Sequence, residues 1–141
     1  MKYDSKLLHA GWDSDADAEG SITVPIYKTT AYQFNSTEHA ANLFVLKEFG
    51  NIYSRLGNPT VGALEARLTA LEGGAMSVAL ASGTSAVMYS LINIMSQGDN
   101  FVSASQLYGG TYTMFDNIIP EYGINPMKLD ITDLKAVEYR I

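Results

Sequence analysis

The 141-residue sequence contains no cysteine, which excludes disulfides and thiolate metal sites and favours a cytosolic protein. Basic residues are scarce: nine Lys and Arg stand against fifteen Asp and Glu, for a formal net charge of −6. No basic stripe is available to neutralise phosphates, so a nucleic-acid partner is not expected. No run approaches the roughly 20 apolar residues that a membrane-spanning helix needs, and the start lacks the apolar core of a signal peptide. A membrane partner is therefore not expected either.

The residues that are present describe a globular protein, with 47% hydrophobic and 17% charged residues. The length corresponds to about one domain, and a chain of this size can bury about two-thirds of its unfolded surface. Four acidic residues alternate with small ones between positions 13 and 19. A calcium loop would also need the glycine and the closing glutamate of an EF-hand, which are absent. We expect residues 1–20 to form a solvated arm without a metal site.

Apolar stretches alternate with helical patterns along the chain. Extended chain is predicted at residues 21–34, and strands at 76–81, 101–104 and 124–129. Helices are predicted after Asn35, after Asn58, and at residues 85–95, 111–119 and 132–140. This alternation predicts an α/β fold with a doubly wound parallel sheet. The last helical pattern reaches Ile141 without a capping residue, from which we expect that more chain follows.

Two of these helices have recognisable ends. Asn35 and Glu38 have the spacing of a capping box, and Gly50 is expected to end that helix. Asn58-Pro59 is an N-cap followed by a proline at the first helical position, and Gly73-Gly74 is expected to close the helix. The second helix has an apolar face made of Val61, Leu64, Leu68 and Leu71. Its polar side, with Glu65 and Arg67, is expected to be solvated.

The most informative stretch, Met76–Thr84, is an apolar run that ends in the turn Ser82-Gly83-Thr84 before a predicted helix. A strand that feeds a helix through such a turn points backbone N–H groups and the positive end of the helix at one place. The hydroxyl groups of Ser82, Thr84 and Ser85 can add donors. The pattern fits a phosphate-binding turn, and it fits equally an ordinary strand–helix turn with a capping serine.

A second candidate site is the pair Tyr53 and Arg55. If the backbone is extended there, residues two apart point the same way. A guanidinium and a phenol on one side of the chain suit a phosphate, because Arg offers a planar fork of donors and Tyr adds one O–H. The alternative is a surface loop with a salt-bridging arginine.

A third candidate is Tyr108, in the loop 105–111 that follows the predicted strand 101–104. Ligands of α/β sheets bind at the carboxyl ends of strands. Two glycines follow Tyr108, and they would leave room for its ring to lie flat over a planar ligand. The alternative is a tyrosine packed against the next helix.

Four motifs stand in the order and spacing of one enzyme family: IYSRLGNPT at 52–60, ALEARLTALEGG at 63–74, ALASGTSAV at 79–87 and QLYGGTY at 106–112. Over nearly its whole length the chain resembles the Cys/Met-metabolism family of pyridoxal-phosphate (PLP) enzymes, which includes cystathionine γ-synthase, the γ-lyases and O-acetylhomoserine sulfhydrylase. The segment AANLFVLKEFGNIYSR is most similar to the sulfhydrylase branch. The resemblance implies PLP-dependent transferase fold type I, here with an incomplete parallel-type sheet and helices on both faces.

The resemblance also implies roles for the candidate residues. The turn Ser82–Thr84 would bind the PLP phosphate through the N–H groups of Gly83 and Thr84. Tyr53 and Arg55 would reach the phosphate of the adjacent subunit's PLP, so the site would need at least a dimer. Tyr108 would stack on the pyridine ring.

Three groups that carry the family's chemistry lie beyond the matched region: the lysine that forms a Schiff base with PLP, an aspartate on the pyridine nitrogen and an arginine for the substrate carboxylate. The lysines at positions 2, 6, 28, 47, 128 and 135 do not resemble that lysine's context. Residues 1–50 would be an N-terminal arm and short helix that pack between subunits. Residues 51–141 would be the truncated first half of the PLP-binding domain. We therefore expect a piece of an enzyme, without a catalytic residue and inactive alone.

The whole enzyme is expected to convert O-acetylhomoserine, a small amino-acid substrate, and sulfide to homocysteine, as a homotetramer built from dimers. Cystathionine γ-synthase and methionine/cystathionine γ-lyase share every motif and are alternatives. A non-catalytic module that binds phosphate or PLP is an alternative of a different class. A nucleotide-binding domain is disfavoured, because the first turn lacks G-x-G-x-x-G. The unpaired strand edge and apolar helix faces predict that the piece aggregates or depends on other chains.

Overall fold

The computed structural model describes residues 1–140, apart from the side chain of Ala16, and divides into two compact units, Met1–Ala79 and the residues from Leu80 onward. The first unit contains α1 (Tyr3–His9), a 3₁₀ turn (Ser14–Ala16), α2 (Thr37–Phe44) and α3 (Pro59–Glu72). The second contains α4 (Gly83–Ile94), β1 (Asn100–Ala104), α5 (Gly109–Thr113), a π-helix (Met114–Ile118), a 3₁₀ helix (Ile119–Tyr122), β2 (Asn125–Leu129) and α6 (Leu134–Arg140).

Helix α3 begins and ends where its local sequence predicts. The Asn58 side chain accepts a hydrogen bond from the N–H of Thr60, and Pro59 occupies the first turn. Gly73 follows the helix with φ 66°, in the left-handed region. An N-cap acceptor, a proline without an N–H to leave unpaired and a glycine after the last turn are all local devices.

Helix α2 corrects the sequence prediction at both ends. Its N-cap is Ser36 rather than Asn35, and the Ser36 hydroxyl accepts from the N–H of His39 at 3.0 Å. The helix ends at Phe44, well before Gly50, and Leu46 adopts φ 57°. A left-handed residue just after a helix turns the chain away from the axis, which a sequence pattern of apolar residues does not reveal.

The N-terminal region is not the free solvated arm that its composition predicts. Residues 3–9 form α1, which contacts α3: Lys6 Nζ donates to the carbonyl of Ala70 at 2.7 Å. Arg67 Nε donates to the carbonyl of Ala10 at 2.8 Å, so this arginine is not simply solvated. Gly11 has φ +81°, and a Cβ there would lie 2.7 Å from the N atom of Arg67. Only glycine allows the chain to approach α3 so closely.

The predicted burial of one α3 face is wrong in part. Ala63 is buried, whereas three of the four residues assigned to the apolar face remain 41–52% exposed: Val61, Leu64 and Leu68. Glu65, expected in solvent, accepts a hydrogen bond from the N–H of Ala79 at 2.7 Å. The N-terminal residues instead approach α3 at small residues, with Gly11 close to Ala63 and Lys6 bonded to the carbonyl of Ala70.

The strand predicted at residues 76–81 is not formed. The segment has no strand hydrogen bonds and is held by side chains of α3, through Glu65 on Ala79 and through Thr69 Oγ1 and Ser77 Oγ at 2.8 Å. Met76 is 80% exposed. A strand needs a neighbour to take its N–H and C=O groups, and the described residues supply none there.

The parallel sheet is confirmed in the second unit with two strands. β1 pairs with β2 in parallel, in a register that runs from Asn100 opposite Asn125 to Ala104 opposite Leu129. The helical segment 109–122 connects the two strands, as parallel pairing requires. The predicted helices 85–95, 111–119 and 132–140 are found as α4, as α5 with its π-helical continuation, and as α6.

The core of the second unit lies between this connection and α4. Its buried members are Met114, Phe115, Ile119 and Ile124, and partly buried Val87, Met88, Leu91, Met95, Phe101 and Leu107 pack against them. Phe101 of β1 meets Phe115 edge to face, with ring centroids 5.0 Å apart. The apolar residues of α4 recur every three to four positions, so one face of the helix covers the core.

Candidate functional site

Ser82 caps helix α4 and shapes the turn in front of it. Its backbone is extended, with φ −156° and ψ 157°, and its hydroxyl accepts from the N–H of Ser85 at 3.1 Å. Its carbonyl accepts from the N–H of Ala86 at 3.0 Å. The Ser85 hydroxyl lies 2.9 Å from the Ser82 hydroxyl. One of the four N–H groups that have no partner inside the helix, that of Ser85, is thus satisfied by the Ser82 side chain.

The N–H groups of Gly83 and Thr84 remain for an external acceptor, because the first N–H groups of an α-helix have no partner inside it. A Cβ built on Gly83 meets no heavy atom within 4 Å, so the space before the turn is open. Helix α4 spans 12 residues, and its positive end adds to the attraction for an anion. The turn has the donors and the room that a phosphate needs.

Tyr108 follows the carboxyl end of β1 and immediately precedes α5. Its side chain is 78% exposed, and its ring lies against the first turn of α5, where a Cβ on Gly110 would stand 2.8 Å from Tyr108 Cε1. The missing side chain at Gly110 lets the ring adopt this orientation. Most of the ring surface stays open, so it offers a flat apolar surface to a planar ligand.

Tyr53 and Arg55 lie together in the first unit. Tyr53 forms an antiparallel bridge with Ala31, and the Arg55 guanidinium carbon lies 5.4 Å from the centre of the Tyr53 ring. The two side chains border a cavity of about 350 Å³ whose other lining is mostly apolar: Ala31, Tyr32, Phe34, Phe44, Ile52 and Leu56. Within residues 1–140, Arg55 forms no salt bridge, so its charge remains available to an anion.

Sequence reasoning missed a polar network next to this pair. Asn58 Nδ2 donates to the carbonyl of Tyr27 at 2.9 Å and to Ser54 Oγ at 3.0 Å. Thr60 Oγ1 donates to the carbonyl of Pro25 at 2.8 Å and accepts from the N–H of Tyr27 at 2.9 Å. The clustering of Ser, Asn and Thr around Arg55 was the available signal, but their partners lie about 30 residues earlier in the chain.

The candidate residues fall into two groups. Tyr53 and Arg55 belong to the first unit, and Ser82–Thr84 with Tyr108 belong to the second. Groups of His, Cys, Asp or Glu that could hold a metal are absent from the described part of the chain. In the same residues, helices long and apolar enough to cross a bilayer are also absent.

Lys128 on β2 has a pKa that its surroundings change. Partial burial acts to lower the pKa of Lys128, but interactions with Asp116 and Tyr112 outweigh it and raise the pKa above its usual value. Nζ is hydrogen-bonded to Asp116 and lies 3.6 Å from the centre of the Tyr112 ring. The amine is thereby held in its charged form, in contact with partners on the connection between the strands.

Comparison with known proteins shows which family the chain resembles. Residues 4–141 match the sequence profile of the Cys/Met metabolism PLP-dependent enzymes. The chain is 52% identical over 124 residues, 88% of its length and 29% of the relative's, to O-acetyl-L-homoserine sulfhydrylase 1 of Thermus thermophilus.

Two solved structures superpose on the whole chain. A crystal structure assigned as an O-acetylhomoserine (thiol)-lyase from Campylobacter jejuni, which contains N'-pyridoxyl-lysine-5'-monophosphate, matches with a TM-score of 0.92 and 42% identity. Cystathionine γ-lyase from Lactobacillus plantarum, in complex with L-serine, matches with a TM-score of 0.84 and 31% identity. Each match covers 34% of the solved chain. These structures confirm the PLP-dependent fold type I.

The chain thus spans about a third or less of the length of the proteins it matches. The profile match, however, extends over almost all of its residues. The identity to the Thermus protein is also well above what unrelated chains of one fold share. The chain belongs to the Cys/Met-metabolism family of PLP-dependent enzymes.

Proposed function

We propose that these residues are the front part of an O-acetylhomoserine sulfhydrylase, which converts O-acetylhomoserine and sulfide to homocysteine and acetate. The observation that carries the proposal is the 52% identity to a sulfhydrylase over 88% of the chain. Among solved structures the same order holds, with 42% identity to the O-acetylhomoserine (thiol)-lyase and 31% to the γ-lyase. Both comparisons favour the sulfhydrylase branch.

The residues of the second unit fit PLP, a ligand with a phosphate and a planar ring. The N–H groups of Gly83 and Thr84 are free to donate, and the space in front of Gly83 is open. The exposed Tyr108 ring suits stacking on an aromatic ligand. When bound, PLP acts as an electron sink for its amino-acid substrate.

We assign the residues as follows. Gly83 and Thr84 bind the phosphate, with Ser82 fixing the turn, and Tyr108 stacks on the ring. Tyr53 and Arg55 bind the phosphate held by the neighbouring subunit, which is why the active form is at least a dimer, in the family's dimer-built tetramer. An arginine fork and a phenol strengthen phosphate binding because both donate to its oxygens.

The chain by itself is proposed to be inactive, because it lacks the lysine to which the family attaches PLP. A lysine with that role must lose its proton, which requires a pKa lowered by burial or by neighbouring cations. Lys128 has the opposite setting, since Asp116 and Tyr112 raise its pKa. Lys6 donates to the carbonyl of Ala70. Each of these amines is hydrogen-bonded to a group of its own unit.

Residues 1–50 are proposed to pack between subunits and residues 51–141 to begin the PLP-binding domain. The exposure of large apolar side chains in the first region supports this, with Phe49, Ile22, Leu46, Ile26 and Phe44 between 65% and 97% exposed. Apolar surface of this kind marks interaction sites.

The alternative within the family is a γ-synthase or a γ-lyase. The superposition on cystathionine γ-lyase, with a TM-score of 0.84, shows that the same backbone serves that relative as well. An enzyme selects one substrate over another by the difference between its affinities for the two. That difference depends on the side chains that contact the substrate, which a shared backbone does not determine.

The test joins the chain to the remainder of the Thermus sulfhydrylase at the matching position and follows sulfide consumption with O-acetylhomoserine. We expect PLP-dependent consumption of sulfide and formation of homocysteine. The remainder alone and the 141-residue chain alone are the controls, and both should be inactive. Bound PLP with no sulfide consumption would contradict the sulfhydrylase assignment, and cleavage of cystathionine in the same preparation would favour the γ-lyase. PLP or phosphate bound without any turnover would support a non-catalytic module.

A further inference from the structure

The segment that carries Tyr53 and Arg55 is fixed by the residue between them. This segment is a turn rather than the extended backbone that the two-residue spacing suggests: the N–H of Leu56 donates to the carbonyl of Tyr53 at 2.8 Å, so Ser54 and Arg55 are its central residues. The Ser54 hydroxyl accepts from Asn58 Nδ2 at 3.0 Å and donates to the carbonyl of Thr29. Its N–H donates to the carbonyl of Thr30 at 2.9 Å. Ser54 is therefore bonded on both its side chain and its backbone to the segment before α2.

Asn58 uses every hydrogen-bonding group of its side chain. Oδ1 accepts from the N–H of Thr60 at 2.9 Å and caps α3. The two N–H groups of Nδ2 donate to the carbonyl of Tyr27 and to Ser54 Oγ. One amide thus joins three parts of the first unit: the start of α3, the segment before α2 at Tyr27, and the turn that carries Tyr53 and Arg55.

A helix cap needs only the acceptor. Asp caps as well as Asn, but an ionised Asp has no N–H to donate. The donors of Asn58 are therefore not explained by the start of α3. One donates to Ser54, on the turn that presents Tyr53 and Arg55, and the other donates to the carbonyl of Tyr27.

We propose that Asn58, acting through Ser54, is a positioning residue that directs Tyr53 and Arg55 together toward the phosphate of PLP. The proposal rests on the proposed function, which assigns phosphate binding to those two side chains. Ser54 is fixed by Asn58 on one side and by Thr29 and Thr30 on the other. Deformation of the turn would move the Arg55 guanidinium away from the Tyr53 ring, from which its carbon lies 5.4 Å, and these bonds resist that change.

The experiment uses the full-length enzyme that contains this chain, freed of cofactor, and measures the dissociation constants of PLP and of pyridoxal, which lacks the phosphate. The ratio of the pyridoxal constant to the PLP constant reports recognition of the phosphate alone, and it falls when phosphate binding weakens. Asn58→Asp keeps the cap acceptor and removes both donors, and Ser54→Ala removes the acceptor of one of them. We expect each variant to weaken PLP binding by about two- to tenfold, the usual effect of one hydrogen bond, and pyridoxal binding by less than twofold.

The matched control is Ser36→Ala, which removes the N-cap of α2 and does not contact the Tyr53–Arg55 segment. It should lower the melting temperature and leave the ratio unchanged. A second control introduces Asn58→Asp into an Arg55→Ala background, where the ratio should no longer respond. A ratio unchanged by Asn58→Asp, or lowered equally without Arg55, would overturn the proposal. If Asn58→Asp does not fold, the Ser54→Ala result alone decides by the same criterion.

The proposed function and the positioning role fail differently. If the unaltered enzyme binds PLP no better than pyridoxal, phosphate recognition and the proposed function fail together. If Arg55→Ala lowers the ratio while Asn58→Asp and Ser54→Ala do not, the function stands and only the positioning role is wrong.

Discussion

The orientation of Tyr108 depends on the absence of a side chain at Gly110. A Cβ at this position would lie 2.8 Å from Tyr108 Cε1, closer than carbon atoms approach without displacement. The contacting atoms belong to a ring that is 78% exposed, so the ring can swing away at little cost to the fold. Gly110→Ala should therefore displace the ring and leave the protein folded, with a slight gain because Ala favours helices over Gly by about 1 kcal/mol.

The cost should appear in cofactor binding. Aromatic stacking contributes about 0.5–1.5 kcal/mol beyond area burial, so loss of the ring's position predicts a PLP affinity lower by about two- to 13-fold. Gly109→Ala is the matched control, since a Cβ there meets no heavy atom within 4 Å. The assay is a PLP titration of the full-length enzyme freed of cofactor. In a Tyr108→Ala background, Gly110→Ala should have no further effect. Equal losses in the Gly109 and Gly110 variants, or no loss in either, would refute the stacking role.

Two further predictions concern stability. Gly11→Ala should lower the free energy of unfolding by about 2 kcal/mol or more, because a left-handed φ costs about 1–2 kcal/mol and the methyl group meets the backbone of α3. Gly20→Ala, at φ +65° in open space, should lose only the about 1–2 kcal/mol that the left-handed φ costs. Urea unfolding measures both free energies. Hydrogen bonds from Ser21 lower the pKa of Asp17, and hydrogen bonds from Thr132 lower that of Asp130. Both folded pKa values lie below the unfolded ones, so this stabilisation is present above about pH 4 and is lost as the pH falls further. The Asn variants of both residues should show a shallower loss of melting temperature in acid.

The elements that the sequence predicts best are those with local causes. Asn58, Pro59 and Gly73 mark the ends of α3 through contacts within a few residues. The pairing of β1 with β2 also follows from local patterns, because two short apolar runs separated by a helix favour parallel strands. The family resemblance added the roles of the turn and of Tyr108, which geometry alone leaves open.

The failures have a common physical origin in contacts between distant residues. The stretch 76–81 is apolar enough for a strand, but strand formation depends on a neighbour that no local pattern guarantees. Arg67 and Glu65 look solvated on a helical wheel, yet their partners, Ala10 and Ala79, are brought to α3 by the fold. The donors of Asn58 serve carbonyl and hydroxyl groups elsewhere in the unit, so its sequence position reveals only the cap.

The measurement that tests the central claim most directly is an intact mass, with peptide mapping, of the protein from its native source after PLP and borohydride treatment. The account predicts a mass far above 15.3 kDa, the mass of these 141 residues, with one reduced pyridoxyl group on a lysine outside them. A 15.3 kDa protein without the adduct, or an adduct on a lysine such as Lys128, would contradict it.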